Sequence, residues 1–257
     1  MELKDIFDQD ARGYDRYRPG YPDALFEDII SYSGIRAGSA LLEIGPGTGQ
    51  ATVPFLKAGC HVTAVEPGAH LCQYLEEKCR DFPGFRAVRA DFMEYEVREQ
   101  SMDLVYSATA FHWLPEKEAY EKVFRCLKKG GTAALFWNHP FPNREEDKSN
   151  RASRKVYEKF RPSGGKQVEF SEADCEATVR RMEQYGFIHV ESRLYRRVRT
   201  LETEAYIGLL NTYSDHLSME PRMKEAFEEE MRRAVNEAGG RISIYDTIDL
   251  YLGKRPE

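Results

Sequence analysis

The chain has 257 residues, is 31% charged and 41% hydrophobic, and carries a formal net charge of −6, a size that at about 150 residues per domain suits one α/β domain with a sizeable insertion. Acidic and basic side chains are interspersed, so there is no broad positive surface for a phosphate backbone, and nucleic acid is excluded as the expected partner. No apolar run is long enough for a membrane span, and residues 1–10 lack a basic region followed by an apolar one, so the expected setting is cytoplasmic, with no membrane partner.

From residue 22 to about 138, short apolar runs alternate with amphipathic stretches of helix length, which is the pattern of a parallel α/β fold. Pro22 followed by Leu25, Phe26, Ile29 and Ile30 predicts an opening helix that ends near Gly34. Strands are expected over 40–44, 61–66, 85–90, 103–107 and 132–137. Helices are expected around 48–58, 69–80 and 116–128, the last closed by Lys128, Lys129, Gly130 and Gly131 as a helix stop. Cys60, Cys72, Cys79, Cys126 and Cys175 are an odd set without C-x-x-C spacing, which predicts buried thiols and neither a disulfide framework nor a zinc site.

After His139 the rhythm breaks. Residues 143–166 hold many charges and the Pro162-Ser163-Gly164-Gly165 punctuation; they read either as a surface insertion with one helix around 150–160 or as a solvated linker. A helix is expected over 172–185, a strand over 187–198, helix again over 202–238 with Pro221 between two segments and Gly239-Gly240 at its end, and a last strand over 245–252.

The most informative residues are Glu43-Ile44-Gly45-Pro46-Gly47-Thr48-Gly49, where an apolar run gives way to a helix. Glycines there let the backbone turn sharply and approach a ligand, and the helix beyond offers free N–H groups. A dinucleotide fingerprint wants G-x-G-x-x-G, but here the third glycine comes one residue early, at Gly49. Glu66 lies at the end of the second expected strand, where a carboxylate accepts both hydroxyls of a ribose. Asp91 ends the third and is followed at once by Phe92: an acceptor for an adenine amino group beside an aromatic able to pack on the ring. Singly, each of these acids is more often a turn or helix-cap residue. Together, in order at three strand ends, they describe an adenosine pocket.

These residues resemble the class I S-adenosylmethionine (AdoMet)-dependent methyltransferases. Glu43 to Gly49 looks like the family's first motif, Glu66 with Pro67 like its ribose-binding segment, Asp91-Phe92 like its adenine-contacting pair, and Ser107, Ala108 and the residues to Trp113 like the segment after the fourth strand. Tyr14 to Pro22 is similar to a cap segment of the methyltransferase type 11 subgroup, which includes trans-aconitate methyltransferase and the ubiquinone/menaquinone-type methylases. The resemblance implies a Rossmann-like three-layer sandwich with a seven-stranded, mostly parallel sheet and an antiparallel last strand. It implies S-adenosyl-L-methionine as cofactor, S-adenosyl-L-homocysteine as product, a small-molecule methyl acceptor, and a monomer or homodimer. The domain expectation is one unit over 1–257, with a cofactor-binding part over about 1–140, an insertion over about 141–170 and a helical insertion over about 200–243, the last two expected as a lid on the substrate side.

Methyl transfer from a sulfonium is an in-line displacement, so the protein mainly aligns nucleophile and methyl and excludes water, and no metal is required. His112 is the candidate catalytic residue, either as general base or as a positioning or packing group. Phe111 and Trp113 are candidate pocket walls, or ordinary core. Tyr14 and Arg18 are cofactor candidates: Arg18 for the methionyl carboxylate, a tyrosine ring for the sulfonium. Asn138-His139-Pro140-Phe141 invites comparison with the Asn-Pro-Pro-aromatic motif of amino-group methylases, but its second residue is His and it follows the fifth strand, so amino methylation of DNA or glutamine loses support. Asn138 is kept as a candidate substrate residue, with a strand-ending turn as its plainer reading. Tyr213 is kept as a substrate candidate from the late helical region, although Tyr206, Leu209, Leu210 and Tyr213 have the spacing of a core-facing helix. The two competing functions are a noncatalytic AdoMet-binding or sensing protein on the same fold and a nicotinamide-dependent oxidoreductase, against which the early third glycine and Asp91-Phe92 speak.

Overall fold

The computed structural model describes residues 11–161 and 168–257; the Pro162-Ser163-Gly164-Gly165 punctuation lies outside them. Seven strands form one sheet in the order β3-β2-β1-β4-β5-β7-β6, with β1 Ala40–Ile44, β2 His61–Glu66, β3 Phe85–Arg89, β4 Met102–Ala108, β5 Leu127–Phe141, β6 Ile188–Glu202 and β7 Arg241–Lys254. The first five strands pair in parallel, and the last strands are antiparallel. The order reverses between β1 and β4, so the carboxyl ends of β1, β2 and β4 border the crevice in which ligands bind in open α/β sheets.

The chain divides into two compact units. The first, here the sheet unit, comprises Pro19–Asn138, Ser171–Tyr195 and Ile248–Glu257. Its helices are α2 Asp23–Ser33, α3 Thr52–Lys57, α4 Ala69–Cys79, α5 Glu116–Cys126 and α7 Glu172–Gln184. Leu25, Phe26 and Ile29 of α2, Phe55 of α3 and Leu75 of α4 pack with Leu41, Val62, Leu104, Ala134, Phe136, Ile248, Leu250 and Leu252 in one buried cluster. Alternation along β7 turns the intervening residues to the other face: Cys175 of α7 hydrogen-bonds with Tyr251, and Met182 of α7 lies against Gly253. Helices therefore cover both faces, as an all-parallel centre requires.

The second, helical unit comprises the chain through Arg18, His139–Phe170 and Arg196–Thr247. It holds α1 Ala11–Tyr17, α6 Lys148–Phe160, α8 Thr203–Leu210, α9 Ser214–Leu217 and α10 Pro221–Glu237. Its own core joins Val156, Tyr206, Ile207, Leu209, Leu210, Phe227, Met231 and Val235. Residues 148–160 are thus a packed helix, started by the Asp147 carboxylate accepting the Ser149 N–H at 2.8 Å, and the solvated-linker reading falls. Among the described residues no helix is long and apolar enough to cross a membrane, and all five cysteines are buried free thiols.

Several expected boundaries move. The helix expected over 48–58 is only Thr52–Lys57, because Thr48–Ala51 are taken up by turns, one closed by the Gly49 N–H on the Pro46 carbonyl at 2.9 Å. Lys128–Gly131 do not end a helix: α5 stops at Cys126, and these residues already belong to β5. There the Gly130 N–H donates to the Arg255 carbonyl at 3.0 Å and the Arg255 N–H to the Gly131 carbonyl at 2.8 Å. Asn138-His139-Pro140-Phe141 likewise continue β5, which replaces the strand-ending turn. β6 and β7 are each longer than expected, and the helical stretch 202–238 is broken into α8, α9 and α10, with Pro221 in the first turn of α10.

Candidate active site

The glycine loop leaves β1 with Gly45, Gly47 and Gly49 all in the left-handed region, at φ of 64°, 57° and 85°. A side chain at Gly45 is also blocked by space, since a Cβ there would lie 2.6 Å from that of Ala110. Glycine is required both by backbone conformation and by close approach. Pro46 and Thr48 are buried, and Lys78 of α4 donates its ammonium to the Thr48 carbonyl at 2.8 Å, pinning the loop from outside.

Glu66 ties this loop to the end of β2. Its buried carboxylate accepts the Gly47 N–H on one oxygen and the Gly68 N–H on the other, each at 3.0 Å, while Pro67 between them is exposed. Each carboxylate oxygen can accept more than one donor. Glu43, two residues before the first glycine, is completely buried. One of its oxygens accepts the hydroxyls of Thr52 at 2.5 Å and Tyr106 at 2.9 Å, and the other has no partner. Burial, with Glu66 nearby adding to it, pushes this carboxyl up to about 7 against the pull of the two hydroxyls.

At the end of β3, Asp91 caps its own turn: one carboxylate oxygen accepts the Met93 N–H at 2.8 Å. The Phe92 ring is only 3% exposed and lies 4.9 Å from the ammonium of Lys122, so it is packed as core rather than standing as an open wall. At the end of β4, Ser107 is buried and donates to the Ile44 carbonyl at 3.0 Å, and Ala108 packs on the core. Thr109 follows with φ 55°, a strained conformation for a β-branched residue, held by the Tyr21 hydroxyl at 2.7 Å. Phe111, His112 and Trp113 then form a single 3₁₀ turn. Phe111 is core, edge-on to Tyr120 at 4.9 Å. His112 is exposed and Trp113 is 53% exposed. His112 Nδ1 accepts the indole N–H of Trp137 at 3.0 Å, and the Trp137 main-chain N–H is held by buried Asp249 at 2.9 Å. An indole only donates, so the neutral His112 ring carries its proton on Nε2.

The remaining candidates fall in the helical unit, apart from Asn138, whose N–H reaches Thr109 Oγ1 at 3.4 Å within the sheet unit. The Arg18 guanidinium donates to the Thr212 carbonyl at 2.6 Å and lies 5.0 Å from the Tyr14 ring and 4.6 Å from the Tyr213 ring. These three therefore form a cluster of their own. Lys78, Lys122, Thr52, Tyr106 and Trp137 were not singled out by the sequence. A lysine on an amphipathic helix reads as a solvated residue, and the partners of the others are distant in the chain.

A methyltransferase-domain family model matches residues 42–135, the span from β1 through most of β5. An uncharacterized methyltransferase of Geobacillus sp. (strain WCH70) is 33% identical over 147 residues, which cover 56% of this chain and 67% of that protein. The chain belongs to the methyltransferase family. Among solved structures, a putative type II methyltransferase from Anaeromyxobacter dehalogenans shares the fold of this methyltransferase with a TM-score of 0.69 at 18% identity, over 94% of this chain and 100% of that one. The phosphoethanolamine N-methyltransferase 2 of Haemonchus contortus, solved in complex with S-adenosyl-L-methionine, has a TM-score of 0.59 at 15% identity. The match takes in all of this chain, which spans 60% of the length of that protein.

Proposed function

We propose that this methyltransferase transfers a methyl group from AdoMet to a small organic acceptor, using the carboxyl ends of β1 to β4. One observation carries the reading: the Glu66 carboxylate is bonded to the N–H of Gly47 in the glycine loop and to that of Gly68. An acidic acceptor and a close-approach loop are thereby locked together, which suits a ribose beside an amino-acid tail. The three left-handed glycines and the blocked Cβ position at Gly45 fit a ligand lying directly on the backbone. Gly45 to Gly49 would receive the amino-acid end, Glu66 the ribose hydroxyls, and Asp91 the adenine amino group, with buried Glu43, Ser107 and Phe92 supporting these segments from behind. AdoMet supplies an electrophilic methyl on a sulfonium. The chain's own task is to orient the acceptor and keep water out.

His112 is best placed to orient. With Trp137 donating to Nδ1, Nε2 of the neutral ring is a donor suited to an oxygen of the acceptor, a role in orientation and not as a base. For His112→Ala the expected result is a KM raised about 2–10-fold, the worth of one neutral hydrogen bond, with kcat nearly unchanged. A kcat lowered by about 10²–10⁴ would restore the general-base role. The function itself is tested by calorimetric titration of the purified chain with AdoMet, with NADH and NADPH as controls. Saturable AdoMet binding followed by methyl transfer to a member of a panel of small carboxylates and phenols is expected. Binding of a nicotinamide in place of AdoMet would overturn the reading.

A further inference from the structure

The connection from β3 to β4 has no helix of its own to support it. Residues 90–101 contain no helix, only turns, yet they carry Asp91. Main-chain bonds close a single turn there: the Asp91 carbonyl accepts the N–H groups of Glu94 at 3.1 Å and Tyr95 at 2.9 Å. The carbonyls that this turn directs outward converge on one group. Lys122 of α5 donates to the carbonyls of Phe92 at 2.6 Å, Met93 at 3.0 Å and Tyr95 at 2.6 Å. An ammonium has three protons, and this geometry has a carbonyl for each. The Phe92 ring packs against the same ammonium at 4.9 Å.

A lysine that merely covers a surface keeps its rotamers and its water, and fixing it costs side-chain entropy. Three charge-assisted bonds to one short segment more than offset that. Lys122 is also close enough to Asp91 for the two charges to attract. Desolvation lowers the lysine's own proton affinity, as a group drawn out of water requires.

The geometry points to Lys122 as a positioning residue for base recognition: by gripping the carbonyls of residues 92, 93 and 95 it sets the Asp91 carboxylate where an exocyclic amino group of the cofactor's base donates to it. This rests on the reading that AdoMet binds at these strand ends with its adenine at Asp91. The 6-amino group of adenine donates to a carboxylate, whereas the 6-oxo group of hypoxanthine presents lone pairs to it, so a well-placed Asp91 prefers adenine.

The experiment compares S-adenosylhomocysteine with S-inosylhomocysteine by calorimetry on the full chain, as wild type and as Lys122→Met. The expected result is a wild-type preference for the adenine ligand that shrinks about tenfold in Lys122→Met, mainly through weaker binding of the adenine form. A general loss of stability would weaken both ligands alike and leave the preference unchanged, and that outcome overturns the proposal. Lys122→Arg serves where the Met variant does not fold. The guanidinium keeps the charge and has donors enough for the same carbonyls, so a preference closer to wild type than that of a Lys122→Gln variant supports the role, and a Gln variant with the full wild-type preference overturns it. If the wild-type chain binds neither ligand, the AdoMet reading falls and this inference with it; wild-type binding with an unchanged preference in the variant overturns the positioning role alone.

Discussion

Replacing Glu66 by alanine is expected to weaken AdoMet binding by about 10²–10⁴-fold in a calorimetric titration. The magnitude follows from two hydroxyl donors on one carboxylate at about 1.5–3 kcal/mol each. The same change removes the acceptor for the Gly47 and Gly68 N–H groups, so the glycine loop also loses its tie to β2. Glu66→Gln separates the two effects. An amide of the same shape keeps one acceptor but turns the other into a donor, so it opposes one of the two N–H groups, while a ribose hydroxyl beside it has to turn and accept. It is expected to fall between wild type and alanine. A folded Glu66→Ala chain that binds AdoMet within twofold of wild type would remove the ribose role of this residue and, with it, the central feature of the proposed site.

The parts of this site that the sequence disclosed are those written locally. β1 and β2 were legible to the residue because each is an apolar run bounded by Gly or polar residues, and the glycine spacing after β1 separates a methyltransferase loop from a dinucleotide one by a single position. The start of β5 was not legible. Lys128-Lys129-Gly130-Gly131 has the composition of a helix stop, but its conformation is set by pairing with Arg255 at the far end of the chain, and no local rule contains that partner. The same holds for Phe92. An aromatic after a strand-ending aspartate suggests a ligand-facing ring until Lys122, thirty residues on, occupies its surroundings. His112 was found as a residue but not as a chemical state, because its tautomer is decided by Trp137, and Trp137 is set by Asp249 on the last strand. What the sequence withheld was the second partner of each pair, which sets the conformation at the start of β5 and the surroundings or tautomer of Phe92 and His112.

Glu43 makes a pH-dependent prediction of similar size. Its carboxyl is fully buried, with one oxygen unpartnered, and its proton affinity rises from the ordinary 4.5 to about 7 in the folded chain. Below about pH 4.5 the group is protonated in both folded and unfolded chains and contributes no penalty. Between about 4.5 and 7 the unfolded chain ionises first and the folded one resists. Stability is therefore lost as pH rises through this window, by about 3 kcal/mol in full. Glu43→Gln cannot ionise, and its carbonyl can still accept from Thr52 and Tyr106. Urea unfolding at pH 5 and pH 8 is expected to show the wild-type chain losing about 2–3 kcal/mol more than the Gln variant across that interval. Coincident pH slopes would mean that the folded chain ionises Glu43 as readily as the unfolded one, so that the hydroxyls of Thr52 and Tyr106 fully offset its burial. The position two residues before the first glycine would then hold an ordinary carboxylate, and the neutral acid behind the glycine loop would have to be given up.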